Sequence, residues 1–273
     1  MKVAVIGVGN MGSKYVKKLD MLNIDTILID KEQERLKNQP EKFKKYTDLD
    51  EALKENKIDF AFVATDPISH IPIAKKLLEM DINVMVEKPP ALNPIHIDEA
   101  INLAQRRNLY FSVSEIELKS YTVRNIKLDE PVEFIEAYRL NLGRGYINPF
   151  FDLAWHDLYI LHYLFGSFNI KKIDNVNGII KVEGNTDKQE FKIKVAWEYP
   201  YIKREWILQN INSSIKLNFV NDEIVYNDNS VKSSDKKDKL ELMIKEFLNN
   251  PSFESAYRAL DILKEFERNR ISV

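Results

Sequence analysis

With 273 residues, 44% of them hydrophobic and 30% charged, the chain is long enough for two compact domains sharing one site. A net charge of −2 argues against a nucleic-acid surface, and the lack of any cysteine excludes disulfides, thiolate metal sites and a thiol nucleophile. No apolar run approaches the roughly eighteen residues of a membrane span, and the N-terminus itself reads as a strand, leaving no room for a signal peptide. A cytoplasmic protein without membrane or nucleic-acid partners is expected.

The chain opens on Val3-Ala-Val-Ile6, an uncharged run that predicts a strand buried on both faces. Gly7-x-Gly9-x-x-Gly12 follows at once. This spacing puts a residue without Cβ in the tight turn, bare backbone where a pyrophosphate can approach, and a third glycine where helix packs on strand. In a chain with only eight glycines it points to a dinucleotide-binding turn, a generic strand-turn-helix being the alternative.

Residues 13–23 continue as a helix, and Ile24 to Ile29 reads as the second strand, ending at Asp30, eighteen residues past Gly12. An acid there can accept hydrogen bonds from the adenosine ribose hydroxyls and repel a 2′-phosphate, which favours NAD. Lys31 next to it could accommodate that phosphate, so NADP stays possible. Asp30 equally suits an N-cap for a helix from about Glu32, and the two roles are compatible.

The alternation persists. A helix over 48–55 precedes a strand over Ile58 to Ala64; Thr65-Asp-Pro67 breaks it, and Pro72 opens a helix. Ile82 to Val86 is the next strand, closed by Glu87-Lys88-Pro89-Pro90, and a helix from Asn93 to about Arg107 leads to a strand over Leu109 to Val113. The expected fold is α/β: a doubly wound parallel sheet of Rossmann type over 1–113. In such a sheet ligands lie outside the carboxyl ends of the strands, so Thr65, Glu87 and Lys88 should face the same crevice as the glycine turn.

From 114 to 273 we expect an α+β domain with a mostly antiparallel sheet. Its strands are read at Val132 to Leu142, Ile173 to Glu183, Phe191 to Tyr199, Lys203 to Asn210 and Ser214 to Val220. Alternation in Phe191-Lys-Ile-Lys-Val-Ala-Trp-Glu-Tyr199 marks one buried face. A helix over Phe151 to Phe165 should cover it, with Gly166 as its stop.

Gly7-x-Gly9-Asn10-Met11-Gly12, Ala64-Thr65-x-Pro67-x-x-His70, Glu87-Lys88-Pro89 and Asp152-Leu-Ala-Trp-His156-Asp157 together resemble the family of glucose-fructose oxidoreductase, inositol dehydrogenase and the rhizopine-catabolism proteins (Gfo/Idh/MocA). Leu240 to Glu267 is similar to that family's closing helix pair, expected to pack back on the first domain, so the likeness spans the chain. It implies a pyridine-nucleotide oxidoreductase acting on a secondary alcohol of a sugar, cyclitol or related polyol, assembled as a homodimer or homotetramer. It implies cofactor contacts from Gly7, Gly9, Asn10, Met11, Gly12, Asp30, Thr65, Pro67, His70, Glu87 and Lys88. Two stretches depart from the family pattern: Ser114-Glu-Ile-Glu-Leu-Lys-Ser-Tyr121 stands where members carry Arg-aromatic-x-Pro, and Asn148-Pro-Phe-Phe151 replaces the usual glycines. Both bear on the substrate, not on hydride transfer.

Oxidising an alcohol needs a base for the hydroxyl proton while hydride leaves to the nicotinamide. His156 suits that role, since an imidazole titrates near neutrality. Asp152, four residues earlier, could orient the ring or bind a substrate hydroxyl, and Lys88 would polarise the oxygen. Taken singly, Asp152 and His156 would be a surface pair and Lys88 a solvated lysine; their joint occurrence with the glycine turn lifts the catalytic reading. Arg139, Arg144, Tyr146 and Asp157 are candidates for substrate contacts. His70 reads as a structural residue near the cofactor, His96 and His162 as solvated or packed, and no spacing suits a metal. A dinucleotide sensor on the same fold, or a biliverdin-reductase-like or imine-reducing enzyme, are the rival readings; the sensor would not need Lys88 and His156.

Overall fold

The computed structural model describes residues 1–145, 147–227, 229–232 and 237–269. The chain divides into two units, Met1–Ser114 with Leu240–Leu260, and Glu115–Lys239 with Asp261–Val273.

In the first unit strands and helices alternate: β1 (Lys2–Ile6), α1 (Asn10–Met21), β2 (Asp25–Ile29), α2 (Gln33–Lys37), β3 (Lys44–Tyr46), α3 (Leu49–Glu55), β4 (Phe60–Val63), α4 (Pro67–Glu79), β5 (Asn83–Val86), α5 (Pro94–Arg106) and β6 (Phe111–Val113). All six strands are parallel, in the order β3-β2-β1-β4-β5-β6. This is the doubly wound order, and it reverses between β1 and β4, where a crevice opens beyond the strand ends. Val3, Ala4 and Val5 of β1 and Ala61, Phe62 and Val63 of β4 are buried, as central strands covered on both faces must be.

Helix α4 corrects the sequence reading. Asp66 accepts the Ser69 N–H and starts the helix at Pro67, a position where the missing N–H costs nothing. Pro72 therefore lies inside the helix rather than opening it, and the carbonyl four residues back, that of Ile68, lacks its helical donor.

The second unit holds a 3₁₀ turn (Ile116–Lys119), α6 (Tyr121–Asn125), β7 (Phe134–Leu140), a π-helical turn (Phe150–Ala154), α7 (Trp155–Phe165), β8 (Phe168–Val176), β9 (Ile179–Thr186), β10 (Glu190–Ala196), β11 (Lys203–Gln209), β12 (Ser214–Asn218), β13 (Glu223–Tyr226) and β14 (Asn229–Lys232). The eight strands form one sheet, β14-β13-β12-β11-β7-β10-β9-β8, in which β7 and β10 pair in parallel and the other neighbours are antiparallel. Ile180 and Val182 of β9 and Phe191, Ile193 and Val195 of β10 are buried at alternate positions, so one face carries the core. Gly166, at φ +82, ends α7.

The run Ile173 to Glu183, read from sequence as one strand, belongs to two. The chain reverses at Asn177 (φ +52) and Gly178 (φ +79), and β8 and β9 pair across that turn. An Asn-Gly pair with both φ positive matches the right-handed twist of a hairpin, and it is this turn chemistry that the apolar pattern hid. Strands β3, β13 and β14 are likewise additional to the sequence reading.

Two closing helices follow, α8 (Lys239–Asn249) and α9 (Glu254–Arg268). Within the first unit Phe247 of α8 stands edge-on to Phe60 and Phe62, ring centres 5.5 and 5.4 Å away. Ser112 donates to the Ser252 carbonyl at 2.7 Å, and the Ser255 hydroxyl accepts the Val113 N–H at 2.9 Å.

Among the glycines of this unit, the closest backbone approach is that between the first and the third. A Cβ on Gly12 would stand 1.8 Å from the Gly7 carbonyl oxygen, a backbone atom that cannot yield. Gly12→Ala is expected to destabilise the unit by roughly 1–3 kcal/mol or more, the range for overpacking, and to abolish dinucleotide binding. Denaturant melts and nucleotide titration of the variant check this.

Candidate functional site

A cavity of about 770 Å³ opens beyond β1, β2 and β4, with Gly7, Gly9, Asn10, Asp30 and Thr65 in its wall. Gly7 takes φ +83, and a side chain there would strike the Ala64 carbonyl oxygen at 2.7 Å. A Cβ on Gly9 would meet nothing within 4 Å, so the glycine leaves open space at the mouth of α1. That helix starts differently from α3, α4 and α5. Asp48, Asp66 and Asn93 cap α3, α4 and α5 with a side-chain acceptor, whereas Gly9 offers none to α1 and no acid stands in its first turn. Its leading N–H groups and the positive end of its dipole are left for an external anion. The cradle, the bare approach and the uncapped helix fit the pyrophosphate of a dinucleotide.

Asp30 is only 4% exposed. Its two oxygens accept the N–H groups of Val8 (2.8 Å) and Glu32 (2.9 Å), tying the glycine turn to the turn before α2. It therefore shapes the turn, while a carboxylate keeps further lone pairs for ribose hydroxyls. Lys31 and Arg35 share the cavity wall, with Arg35 Nη1 3.6 Å from Asp30. The sequence reading missed Arg35; its place in the first turns of the helix after Asp30 was the available signal. The two cations supply the charge that a 2′-phosphate would need.

Gly12, His70 and Glu87 act behind this wall rather than in it. Tyr15 of α1 donates to Glu87 at 2.6 Å, and the other Glu87 oxygen accepts the Lys88 N–H at 3.3 Å. Burial and the Glu87 charge hold the Tyr15 phenol well above its usual range, so it remains a donor. His70 lies with Nε2 3.1 Å from the Thr65 carbonyl and Nδ1 3.1 Å from that of Pro89, and thus links the loop after β4 to the loop after β5. Burial lowers its pKa against the pull of those carbonyls and of Glu87. Both residues hold the segment that carries half-buried Lys88. Pro67 is the first residue of α4, and Met11 lies in the first turn of α1, half-buried.

In the second unit Asp152 sits in the π-helical turn and His156 in the first turn of α7, both half-buried. The partner at His156 Nδ1 is the Tyr159 hydroxyl, 2.8 Å away. Two expected substrate contacts are corrected. Arg139 and Asp157 are 2% and 0% exposed and meet through two bonds of 3.0 Å, with the Trp206 indole N–H also on Asp157 at 2.8 Å. Burial works against the Arg139 charge, but Asp157 and Glu117 outweigh it and raise its pKa. This satisfied bidentate pair is core structure and has nothing to offer a ligand. The signal was present: Ile135, Ala137 and Arg139 alternate along β7, which turns Arg139 inward. Arg144 is 85% exposed on its side chain and pairs with Glu198 at the surface. Tyr146 lies outside the described residues. Among the described residues no three His, Asp or Glu side chains gather as a metal site, and no helix is long and apolar enough to cross a membrane.

Comparison with known proteins bears on this cradle. Residues 1–115 match the family model described as an oxidoreductase family with an NAD-binding Rossmann fold, GFO_IDH_MocA. That match takes in the glycine turn, Asp30 and the Glu87-Lys88-Pro89 loop and covers 115 of the 273 residues. UDP-N-acetylglucosamine 3-dehydrogenase of Acidithiobacillus ferrooxidans is 24% identical over 166 residues, 58% of this chain and 52% of the relative, so the chain aligns over about half of that protein. A solved structure of that dehydrogenase superposes with a TM-score of 0.86 at 19% identity, covering 100% of this chain and 97% of the other. GenD2 from gentamicin A biosynthesis, in complex with NAD, gives 0.81 at 16% identity, over 98% and 92% of the two chains. A variant of KijD10, a 3-ketoreductase from Actinomadura kijaniata in complex with TDP-benzene and NADP, gives 0.85 at 13%, over 100% and 97%. These structures share the fold.

Asp30→Ala would leave the buried Val8 N–H without its acceptor, and a loss of about 1–3 kcal/mol is expected in thermal or urea unfolding, with a narrowed preference between NAD(H) and NADP(H). Arg139→Ala should cost about 3–5 kcal/mol, because Asp157 would stay buried without its cation. A chemical denaturation series reads that loss; wild-type stability would return Arg139 to the ligand-binding candidates.

Proposed function

We propose that this chain transfers hydride between a nicotinamide dinucleotide and a secondary alcohol or ketone of a sugar, cyclitol or related polyol. The observation that carries the reading is the uncapped start of α1 above Gly7, Gly9 and Gly12, facing a cavity large enough for a dinucleotide. Gly7, Gly9 and Asn10 would hold the pyrophosphate and Asp30 the adenosine ribose, which favours NAD, with Lys31 and Arg35 leaving NADP possible. When bound, the nicotinamide supplies the hydride exchange.

Lys88 acts as a cationic donor to the substrate oxygen as charge develops on it, and His156 exchanges the proton. Asp152 binds a substrate hydroxyl or orients the ring. In this reading residues 1–113, joined by the returning segment 240–260, form the nucleotide-binding domain and the rest of 114–273 the substrate and assembly domain, in a homodimer or homotetramer. Nucleotide-linked sugars are the first substrates to try, because the similar dehydrogenase and the 3-ketoreductase carry such chemistry in their names or ligands. Oxidation or reduction at the sugar C3 is the favoured reaction.

A spectrophotometric screen of UDP- and TDP-sugars, free polyols and their keto forms with NAD(H) and NADP(H) is expected to find turnover. On the best substrate His156→Ala should lower kcat by about a hundredfold to ten-thousandfold with little change in nucleotide affinity. Lys88→Ala should remove about 2.7–4 kcal/mol of transition-state stabilisation. Asp152→Asn should be milder. Wild-type turnover in His156→Ala would overturn the catalytic assignment.

A further inference from the structure

Tyr159 lies three residues after His156 on α7, fully buried. Its oxygen accepts the backbone N–H of Glu117 at 3.0 Å, and its single hydroxyl proton, fully buried, still needs an acceptor. His156 Nδ1 stands 2.8 Å away. The nearby carboxylate of Glu117 is turned elsewhere, to Lys239 at 3.0 Å and towards Arg139 at 4.0 Å. A backbone N–H can only donate, so the direction of the bond on the tyrosine's other side follows: the phenol gives and the imidazole nitrogen receives.

We propose that Tyr159 is the positioning residue of His156, its buried hydroxyl donating to Nδ1 and holding the neutral imidazole as the Nε2–H tautomer. Burial and the charge of Glu117 keep the phenol well above its ordinary pKa, which preserves the donor. Arg139 and Lys239 in turn hold the Glu117 carboxylate charged despite its burial. The 3₁₀ turn that carries Glu117 is thereby coupled to the orientation of a side chain on α7.

A consequence for the chemistry rests on the reading of His156 given above; the tautomer itself does not. The ring nitrogen not engaged by Tyr159 carries a proton at rest and meets a substrate oxygen as a donor. A ketone oxygen, which only accepts, matches that state directly. Taking a hydroxyl proton at Nε2 first requires the ring to change tautomer, with Nδ1–H turned onto the tyrosine oxygen and the phenol proton moved off that line.

Long-range proton–nitrogen spectra of protein labelled at its four histidines read the tautomer directly. The His156 signals are assigned by their loss in H156Q. At a pH where the ring is neutral, wild type is expected to show a protonated Nε2 and a bare Nδ1. In Tyr159→Phe both nitrogens should move towards the averaged positions of a mixed tautomer, with the remaining spectrum confirming the fold. A protonated Nδ1 in wild type would overturn the proposal even if the variant failed to fold, and so would an unchanged pattern in a folded Tyr159→Phe. Because no turnover is measured, a non-catalytic His156 would leave this result standing, and the two failures are distinguishable.

Discussion

The approach of α1 to β1 sets what the first unit can be. Where the Gly7 carbonyl meets Gly12 there is no room for a single carbon atom, and the axis of α1 is fixed by that contact. From it follow the aim of the first N–H groups at the cavity and the reach of Tyr15 to Glu87 across the sheet end. Asp30 completes the frame by accepting from Val8 inside the same turn. A flexible loop around an anion would lose entropy on binding; a turn held by packing and by a buried carboxylate has already given it up during folding.

The second unit solves a different problem, that of keeping charges inside a core. Arg139, Asp157 and Glu117 are all buried, and each is offset by the others, by Trp206 or by Lys239. Removing ions from water is costly, and a bidentate pair with a further indole donor on the carboxylate is an arrangement that makes it tolerable. Tyr159 stands at the edge of this network and passes its order to His156. The same low-dielectric surroundings that make an unmatched group expensive make a matched one rigid.

How much of this was legible depended on range along the chain. The glycine turn, five of the six strands of the first unit and the acid after β2 are local patterns that stand where the sequence put them; β3, three residues long, was too short to show a pattern. Asn177-Gly178 was equally local, but Ile173 and Val176 before it and Ile179, Ile180 and Val182 after it masked the turn. Pro72 misled because proline tolerates the start of a helix so well that Asp66, the actual cap, was passed over. Arg139 looked like a ligand-binding cation because nothing within twelve residues of it is its partner; Asp157 lies eighteen residues on, across the join of strand and helix. The pairing of His156 with Tyr159 was within reach, since residues three apart share a helix face. The acid four residues before His156 drew attention instead, and the π-helical turn around Asp152 changes the spacing on which that reading relied.

Phe60 and Phe62 are covered by a residue made nearly two hundred positions later. Phe247 closes that aromatic cluster, and Ser252 and Ser255 take up the hydrogen bonds of the edge strand β6. While the chain is being synthesised, the parallel sheet emerges with its strands in place and an apolar flank open to the surroundings until α8 and α9 leave the ribosome. At about 5–20 residues per second, that interval is of order ten seconds or more, long enough for chaperone engagement or for misassociation with a neighbouring nascent chain. The order of translation, and not only the final packing, then becomes a constraint on which residues that flank can carry.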